Sequence, residues 1–284
     1  MTDPLVTVAW LADHMGDPAL VVLDATKYLP TEGKDGLAEF TRAHIPGARF
    51  FNLDEVADQD THLPHMVPAA GRFEALMGRL GVSNASTVVF YDQKGIASAP
   101  RGWWMMGLFG HDAAFVLDGG LPAWLRAGGA TEAGVPGPPA PAGFRATFRA
   151  TFRATRLRGI GDMLDPGTAL VLDARPPGRF DGSAPEPRPG LPSGHMPGSL
   201  NLPYAALLNP DGTMLDADAL RTTLVGMGAD GTRPVVTTCG TGVTATILTL
   251  ALRRAGLPEG AVYDGSWTEW ASRLDTPKET TDAR

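Results

Sequence analysis

The 284-residue chain carries a formal net charge of −7 at pH 7, with 43% hydrophobic and 19% charged residues. This composition is typical of a folded globular protein and argues against a disordered chain. The acidic balance argues against a general nucleic-acid binder, which needs a basic face to neutralise phosphates. No apolar run approaches about 18 residues, so we expect neither a membrane-spanning segment nor a membrane partner.

The N-terminus and the cysteine content together predict a cytoplasmic protein. The first residues include Asp3 and lack the basic segment that precedes the apolar core of a signal peptide. The single cysteine, Cys239, excludes an intramolecular disulfide, which suits a reducing compartment. The surroundings of that thiol are therefore the most informative part of the sequence.

Four sequence blocks recur in the same order, at offsets between 146 and 151 residues. The recurring pairs are Val21–Ala25 with Leu170–Ala174, Ala43–Ala48 with Gly194–Ser199, Thr87–Asp92 with Pro234–Cys239, and Phe115–Gly120 with Ala261–Ser266. Such a pattern predicts a duplicated domain. We assign the first copy to residues 1–128 and the second copy to residues 157–284, joined by a Gly- and Pro-rich linker at 129–156.

Each copy alternates short apolar runs with longer amphipathic segments, which predict buried parallel strands and crossover helices. The predicted fold class is therefore α/β, with a mostly parallel central sheet flanked by helices in each copy. Helices are predicted at Trp10–Met15, Ala70–Leu80, Ser98–Phe109, Ala217–Met227 and Thr244–Ala255. Helix ends favour a left-handed residue, and glycine follows four of these segments, at Gly81, Gly110, Gly228 and Gly256.

The linker contains a tandem triplicate of Phe-Arg-Ala-Thr at residues 144–155. A basic tract of this kind can serve as a binding arm. We interpret it instead as a small local duplication in an exposed tether, and the sequence assigns it no role in chemistry.

Cys239 stands where a β-rich run, Pro234–Thr238, ends and a helical segment is about to begin. Ligands of open parallel sheets bind at the carboxyl ends of the strands. A glycine-containing loop before a helix N-terminus presents backbone N–H groups to an anion. Such a loop stabilises a thiolate, which is the nucleophilic form of cysteine.

The loop residues suit this purpose. Gly240 and Gly242 allow the backbone to curl around the sulfur without Cβ clashes, and Thr241 and Thr244 offer hydroxyl donors. A lone cysteine is otherwise most often a small buried hydrophobe. The strand–loop–helix context is what favours a nucleophile here.

The first copy has Asp92 at the position equivalent to Cys239. A carboxylate cannot carry transferable sulfur. We therefore expect the first copy to be catalytically silent.

The chain resembles the tandem-domain rhodanese family over roughly residues 5–275, in its two copies, its His-x-Pro-Gly turns, its Asp-Gly-Gly and Asp-Gly-Ser-Trp blocks and its loop Cys239–Thr244. The resemblance implies sulfur transfer through a persulfide on Cys239. A Cys-Gly-(Ser/Thr)-Gly-Val-Thr loop resembles that of 3-mercaptopyruvate sulfurtransferases, whereas thiosulfate sulfurtransferases tend to carry Cys-Arg-Lys-Gly-Val-Thr. Two cationic side chains in the loop would bind the thiosulfate dianion, and this loop has none.

The same resemblance implies further site residues. The family's two substrate-binding arginines correspond to Arg179 and Arg188, and arginine suits the planar carboxylate of mercaptopyruvate. The loop residues Gly240, Gly242, Val243 and Thr244 are expected to contact the substrate as well.

The family's catalytic Asp and His correspond to Asp54 and His65. With Thr241 they would form a hydroxyl–imidazole–carboxylate relay, in which the Asp fixes the imidazole tautomer. His62 is the nearby competitor, and only the resemblance favours His65. Family members commonly have Asp before this His, whereas this chain has Pro64.

The expected partners are a small-molecule sulfur donor and a thiol acceptor such as a thioredoxin, or cyanide, with release of pyruvate. We expect no cofactor, because nucleotide-binding loops are missing, and no metal, because His62 and His65 have zinc-like spacing without a Cys partner. The alternatives are a thiosulfate sulfurtransferase and a sulfur-carrier module without turnover. A Cys-x5-Arg phosphatase is disfavoured, because Ala245 stands where that family needs Arg.

Overall fold

The computed structural model describes residues 3–137 and 154–281. Most of the Phe-Arg-Ala-Thr triplicate lies outside the described residues. Within the described ranges, no helix combines the length and the apolar content that a bilayer crossing requires.

The described part of the first copy contains five strands and six helices. The strands are β1 (Leu5–Val6), β2 (Leu20–Asp24), β3 (Arg49–Phe50), β4 (Thr87–Tyr91) and β5 (Ala114–Leu117). The helices are α1 (Val8–His14), α2 (Gly36–Arg42), α3 (Leu53–Val56), α4 (Ala70–Arg79), α5 (Ala99–Leu108) and α6 (Gly120–Arg126), with a 3-10 turn at Pro30–Glu32. The strands pair in parallel in the order β1-β5-β4-β2-β3.

The described part of the second copy repeats this arrangement. The strands are β6 (Leu157–Arg158), β7 (Leu170–Asp173), β8 (Leu200–Asn201), β9 (Val235–Thr238) and β10 (Ala261–Tyr263). The helices are α7 (Ile160–Leu164), α8 (Pro177–Asp181), α9 (Ala217–Gly226), α10 (Ala245–Arg254) and α11 (Ser266–Ser272), with 3-10 turns at Ala154–Arg156 and Tyr204–Leu207. The parallel order β6-β10-β9-β7-β8 is that of the first sheet, which confirms the predicted α/β class and the duplication.

The predicted helices agree with the structure to within one residue at each end, except for the first. The segment predicted at Trp10–Met15 is helical from Val8 to His14. Its start is earlier because the Thr7 side chain accepts a hydrogen bond from the Trp10 N–H at 3.1 Å and caps the helix there. The four glycines expected at helix ends all have φ between 70° and 88°, as predicted.

The two copies share one core. The helices α5 and α10 contact each other, and every residue of α5 is buried. The largest apolar cluster contains residues of both copies, such as the fully buried Trp104 and Leu248. The start of α10, with the cysteine loop before it, is therefore held against the first copy.

The segment that follows each copy's last helix returns to pair with a histidine turn. His44 forms a two-residue antiparallel bridge with Glu132, and His195 forms the same bridge with Glu279. Each histidine Nδ1 donates at 2.9 Å to a backbone carbonyl oxygen of its own copy. The early part of the segment assigned to the linker is thus hydrogen-bonded to the first copy.

Buried carboxylates end the equivalent strands β2 and β7, but among the described residues only Asp173 has a cationic partner. Asp173 receives the Arg175 guanidinium, with Nη2 to Oδ2 at 2.6 Å. Asp24 has Thr26 at the position equivalent to Arg175 and accepts a hydrogen bond from the Gln93 side chain at 2.9 Å instead. Burial without a paired cation raises the pKa of Asp24 to about 6.

Asp24→Asn removes this buried charge and should raise the free energy of unfolding at neutral pH by up to about 3 kcal/mol, since one pKa unit corresponds to about 1.4 kcal/mol. The folded state binds the Asp24 proton more tightly than the unfolded chain does. The natural protein should therefore lose stability as pH rises from about 4 to about 6, and the variant should lack this loss. Urea unfolding on both sides of this range measures the difference.

Asp173→Asn is the matched control, and its effect should have the opposite sign. It leaves the Arg175 charge buried with one partner fewer, which costs about 3–5 kcal/mol when a buried pair is broken. A loss of stability at neutral pH in Asp24→Asn would contradict the assignment of a buried, unpaired carboxylate.

Candidate active site

Cys239 lies directly after β9, at the carboxyl edge of the second sheet. Its N–H donates to Ser266 Oγ at 3.3 Å, and its carbonyl oxygen accepts from the Trp267 N–H at 2.9 Å. These bonds fix the cysteine backbone against the start of α11. The residue is only 2% exposed, and it borders a partly open cavity of about 350 Å³.

The loop after Cys239 carries backbone N–H groups that the protein does not use. Among the residues that the structure describes, none accepts a hydrogen bond from the backbone N–H groups of residues 240–245. Gly242, with φ at 74°, allows the chain to turn here before α10 begins. The loop therefore offers free donors at the N-terminus of a helix, where the helix dipole also favours negative charge.

The equivalent loop of the first copy shows what such donors bind. Asp92 follows β4 as Cys239 follows β9, and its Oδ2 accepts from the N–H groups of residues 97–99 at 2.8, 2.9 and 2.9 Å. Its Oδ1 accepts from the Lys94 N–H at 3.0 Å. A carboxylate thus fills the first loop, so the same backbone arrangement is suited to an anion at Cys239.

Two guanidinium groups border the cavity beside Cys239. Glu186 holds Arg179 with two bonds, from Nη2 to Oε2 at 2.6 Å and from Nε to Oε1 at 3.1 Å. Arg188 has no hydrogen bond or ion pair with any other residue in the described ranges. Burial and the neighbouring Arg179 cation lower the pKa of Arg188, so an anion at this point of the cavity would gain a strong partner.

His65 joins the first copy to the cysteine loop. Its Nδ1 is 2.9 Å from Thr241 Oγ1, and its Nε2 is 3.0 Å from Asp54 Oδ1. Burial lowers the pKa of His65, and the hydrogen bond from His65 holds the pKa of Asp54 well below its usual range. The arrangement is therefore a neutral imidazole that donates from Nε2 to an ionised Asp54 and accepts the Thr241 hydroxyl proton at Nδ1.

The other candidate histidine has no such position. Within the described residues, His62 makes no hydrogen bond to Thr241 or Asp54. No group of three or more His, Cys, Asp or Glu suited to a metal ion occurs in the same ranges.

Arg101 connects the relay to the cysteine loop. Its side chain is fully buried, with Nη2 donating to the His65 carbonyl oxygen at 2.6 Å and to Asp264 Oδ1 at 2.7 Å. Its Nη1 donates to the Gly242 carbonyl oxygen at 3.2 Å. His65 has a left-handed φ of 61°, which costs a non-glycine residue about 1–2 kcal/mol, and the bond from Arg101 helps to maintain it.

The structure brings most of the expected site residues to one cavity. Those that border it are His65, Arg179, Arg188, Cys239, Gly240, Thr241, Val243 and Thr244. Asp54 lies behind His65. Gly242 packs against Asp264 and does not border the cavity, and a Cβ added to it would lie 2.8 Å from the Asp264 carbonyl oxygen. Gly242 therefore contributes to the site by the conformation it gives the cysteine loop.

Sequence patterns did not predict the part of the cavity that the first copy supplies. Lys27, Tyr28, Lys34 and Lys94 border the cavity, although no motif marks them and they are distant from Cys239 in sequence. One compositional signal was available, since the chain has only four lysines and three of them are here.

The Rhodanese-like domain family matches residues 7–127 and 160–273. A parallel α/β domain in two copies, with a lone cysteine loop after the central strand of the second, agrees with that match. The chain belongs to the rhodanese family.

Individual relatives are similar over nearly the whole chain. The 3-mercaptopyruvate sulfurtransferase of Homo sapiens is 42% identical over 275 residues, which covers 95% of this chain and 92% of the relative. The Arabidopsis thaliana protein named thiosulfate/3-mercaptopyruvate sulfurtransferase 1, mitochondrial, is 39% identical over 302 residues, covering 99% and 79%. The crystal structure of SseA from Escherichia coli, reported with the rhodanese fold and catalytic mechanism of 3-mercaptopyruvate sulfotransferases, matches with a TM-score of 0.82 and 33% identity over 94% of this chain and 99% of that one.

Gly242→Ala should destabilise the cysteine loop by more than the cost of its left-handed φ, because the added Cβ would also lie too close to the Asp264 carbonyl oxygen. The matched control is Gly256→Ala, where φ is 70° but nothing lies within 4 Å of the added Cβ. Both variants carry the backbone cost of about 1–2 kcal/mol, and only Gly242→Ala displaces Asp264. We expect Gly242→Ala to unfold at lower urea concentration than the control and to slow alkylation of Cys239 several-fold. Equal stability and equal alkylation rates in the two variants would contradict this assignment.

Proposed function

We propose that this chain is an enzyme that transfers sulfur from 3-mercaptopyruvate to a thiol acceptor through a persulfide on Cys239. The observation that carries the proposal is the Arg188 guanidinium, which no described residue pairs, in the same cavity as Cys239. The names of the relatives agree with it, since the human protein is named a 3-mercaptopyruvate sulfurtransferase.

The donor fits the charges around the thiol. Mercaptopyruvate carries a carboxylate and a ketone next to its sulfur. Arg188 would bind the carboxylate in a bidentate manner, with Arg179 held alongside by Glu186. This leaves the donor sulfur directed at Cys239.

In the first half-reaction, the Cys239 thiolate attacks the donor sulfur. A bond forms between Sγ and that sulfur, and the bond from sulfur to carbon 3 breaks. The electron pair stays on carbon as the enolate of pyruvate. The proton of the donor thiol ends on that carbon, which gives pyruvate and a persulfide anion, so no outside proton is consumed.

The relay of Asp54, His65 and Thr241 would move this proton. Thr241 Oγ1 is within hydrogen-bond distance of the neutral His65 and belongs to the loop that borders the donor. His65 can accept a proton through the hydroxyl and return it to the enolate, while the ionised Asp54 stabilises the charged imidazole in between.

The loop N–H groups would stabilise the persulfide anion. They would donate hydrogen bonds to the persulfide on Cys239, as the N–H groups of residues 97–99 do to the Asp92 carboxylate. Because the first copy holds this carboxylate in place of a thiol, the proposal assigns all sulfur transfer to the second copy.

In the second half-reaction, an acceptor thiolate attacks the outer sulfur of the persulfide. The bond between the two sulfurs breaks, and Cys239 regains its electron pair as a thiolate. A thioredoxin or a small thiol can act as acceptor, and a reducing cytoplasm, which the lone cysteine suits, supplies both.

A thiosulfate donor is the second candidate. Its support is the Arabidopsis relative named for both donors, together with the five cationic side chains that border the cavity: Lys27, Lys34, Lys94, Arg179 and Arg188. The ratio of kcat/KM for the two donors decides between them.

Cys239→Ser should lower the rate of pyruvate release from 3-mercaptopyruvate by at least about 1000-fold, because a serine hydroxyl cannot replace the thiolate as nucleophile. Mass spectrometry of the natural protein after exposure to donor alone should show one added sulfur atom, which the variant lacks. A variant that still releases pyruvate would refute the proposal. An adduct that forms but never passes to any acceptor would identify a carrier instead.

Arg188→Ala should lower kcat/KM for 3-mercaptopyruvate by about 10- to 100-fold, since a hydrogen bond to a charged group contributes about 1.5–3 kcal/mol. The control is Arg273→Ala, which removes an exposed arginine that pairs with Asp275 outside the cavity. If both variants keep the natural kcat/KM, the carboxylate is not bound at Arg188.

A further inference from the structure

The cavity is larger than its donor requires. Its volume of about 350 Å³ falls in the range of pockets that enclose drug-sized ligands, about 300–1,000 Å³. Mercaptopyruvate is a three-carbon acid, and the second copy alone surrounds its proposed position with Cys239, Arg179 and Arg188. The remaining space adjoins the first copy.

The segment from Lys27 to Lys34 and the distant Lys94, all from the first copy, form this other side. We name it the first-copy wall, and its members are Lys27, Tyr28, Leu29, Pro30, Gly33, Lys34 and Lys94. None of these residues has a task in the donor half-reaction described above, apart from the contact of Lys27 with Asp54.

The wall is cationic in an acidic protein. Three of the chain's four lysines lie on it, and no Asp or Glu is among the described residues that border the cavity. Since the chain as a whole carries a net charge of −7, this positive charge is concentrated where a ligand enters.

Lys34 is the lysine on this wall that remains available. Lys27 pairs with Asp54, and Lys94 pairs with Glu32 at 2.6 Å. Within the described ranges Lys34 has no carboxylate partner, and its Nζ lies 5.6 Å from the centre of the Tyr28 ring. A free ammonium group over an aromatic face is therefore exposed to whatever occupies this space.

The reaction itself requires a second occupant. The persulfide sulfur lies in the same cavity as Cys239, so the acceptor thiolate must enter this cavity to reach it. An acceptor thiol larger than the three-carbon donor then extends past Arg179 and Arg188 to the first-copy wall, where Lys34 favours a negative group. A neutral acceptor would leave this cation unused.

We propose that the first-copy wall is the acceptor subsite, and that it selects small thiols that carry carboxylate groups, bound by Lys34 beside Tyr28. This inference rests on the proposed sulfur transfer. The acceptor thiolate forms a bond to the outer sulfur, the sulfur–sulfur bond to Cys239 breaks, and the acceptor leaves as a persulfide, so no further reactant is needed.

The test compares three acceptors on three full-length proteins. The acceptors are glutathione, which carries two carboxylates, 2-mercaptoethanol, which carries none, and a thioredoxin. The proteins are the natural chain, Lys34→Ala and Lys34→Glu. We expect Lys34→Ala to lower kcat/KM for glutathione about fivefold, the upper range of one exposed ion pair, and Lys34→Glu to lower it further. With 2-mercaptoethanol the three proteins should not differ.

The matched control is Lys278→Ala, which changes the fourth lysine, outside the cavity, and should alter the use of none of the acceptors. The burst of pyruvate with donor alone should be the same in all variants. Added salt should weaken the use of glutathione by the natural chain and not its use of 2-mercaptoethanol.

Three results would overturn the inference. An unchanged kcat/KM for glutathione in Lys34→Glu would show that Lys34 does not bind the acceptor. An equal fall with both acceptors would show that Lys34 only shapes the cavity. A loss with thioredoxin as acceptor but not with glutathione would make the wall a protein docking surface. Failure of the proposed function is separate, because the natural chain would then give no pyruvate burst.

Discussion

The whole site depends on one buried guanidinium. Arg101 extends from the first copy, is fully buried, and donates to His65, to Gly242 and to Asp264. A buried charge is tolerated only when its partners are in place, and breaking such a pair costs several kcal/mol. The two copies therefore cannot shift against each other without a large penalty, and this holds the histidine of one against the cysteine loop of the other.

The duplication has produced a division of tasks between two domains of the same fold. The second copy supplies the thiol, the loop N–H groups, Arg179 and Arg188. The first copy supplies the histidine with its carboxylate, and the first-copy wall with its three lysines. Neither copy encloses the cavity alone, which explains why the shared core between α5 and α10 matters for chemistry as well as for stability.

Local features of the site could be predicted from the sequence, and contacts between distant segments could not. The cysteine loop was predictable because a strand, a glycine-containing loop and a helix start follow each other directly. Short sequence stretches predict neither that Arg188 lacks a partner among the described residues nor that Arg101 is buried between the copies. The residues alone did not favour His65 over the nearby His62. They differ in the structure because the chain turns through a left-handed conformation at His65, held by Arg101.

Asp92 has a consequence that extends beyond its own loop. The carboxylate belongs to the chain, so the N–H groups that bind Asp92 keep the same partner at all times. In the proposed reaction, the N–H groups of the cysteine loop would instead meet different sulfur species in turn. The helix that begins at these N–H groups, α5, carries Arg101 as its third residue. The copy without a thiol would thus keep Arg101 in a constant position, and the proposed charge changes at Cys239 would leave the two copies aligned.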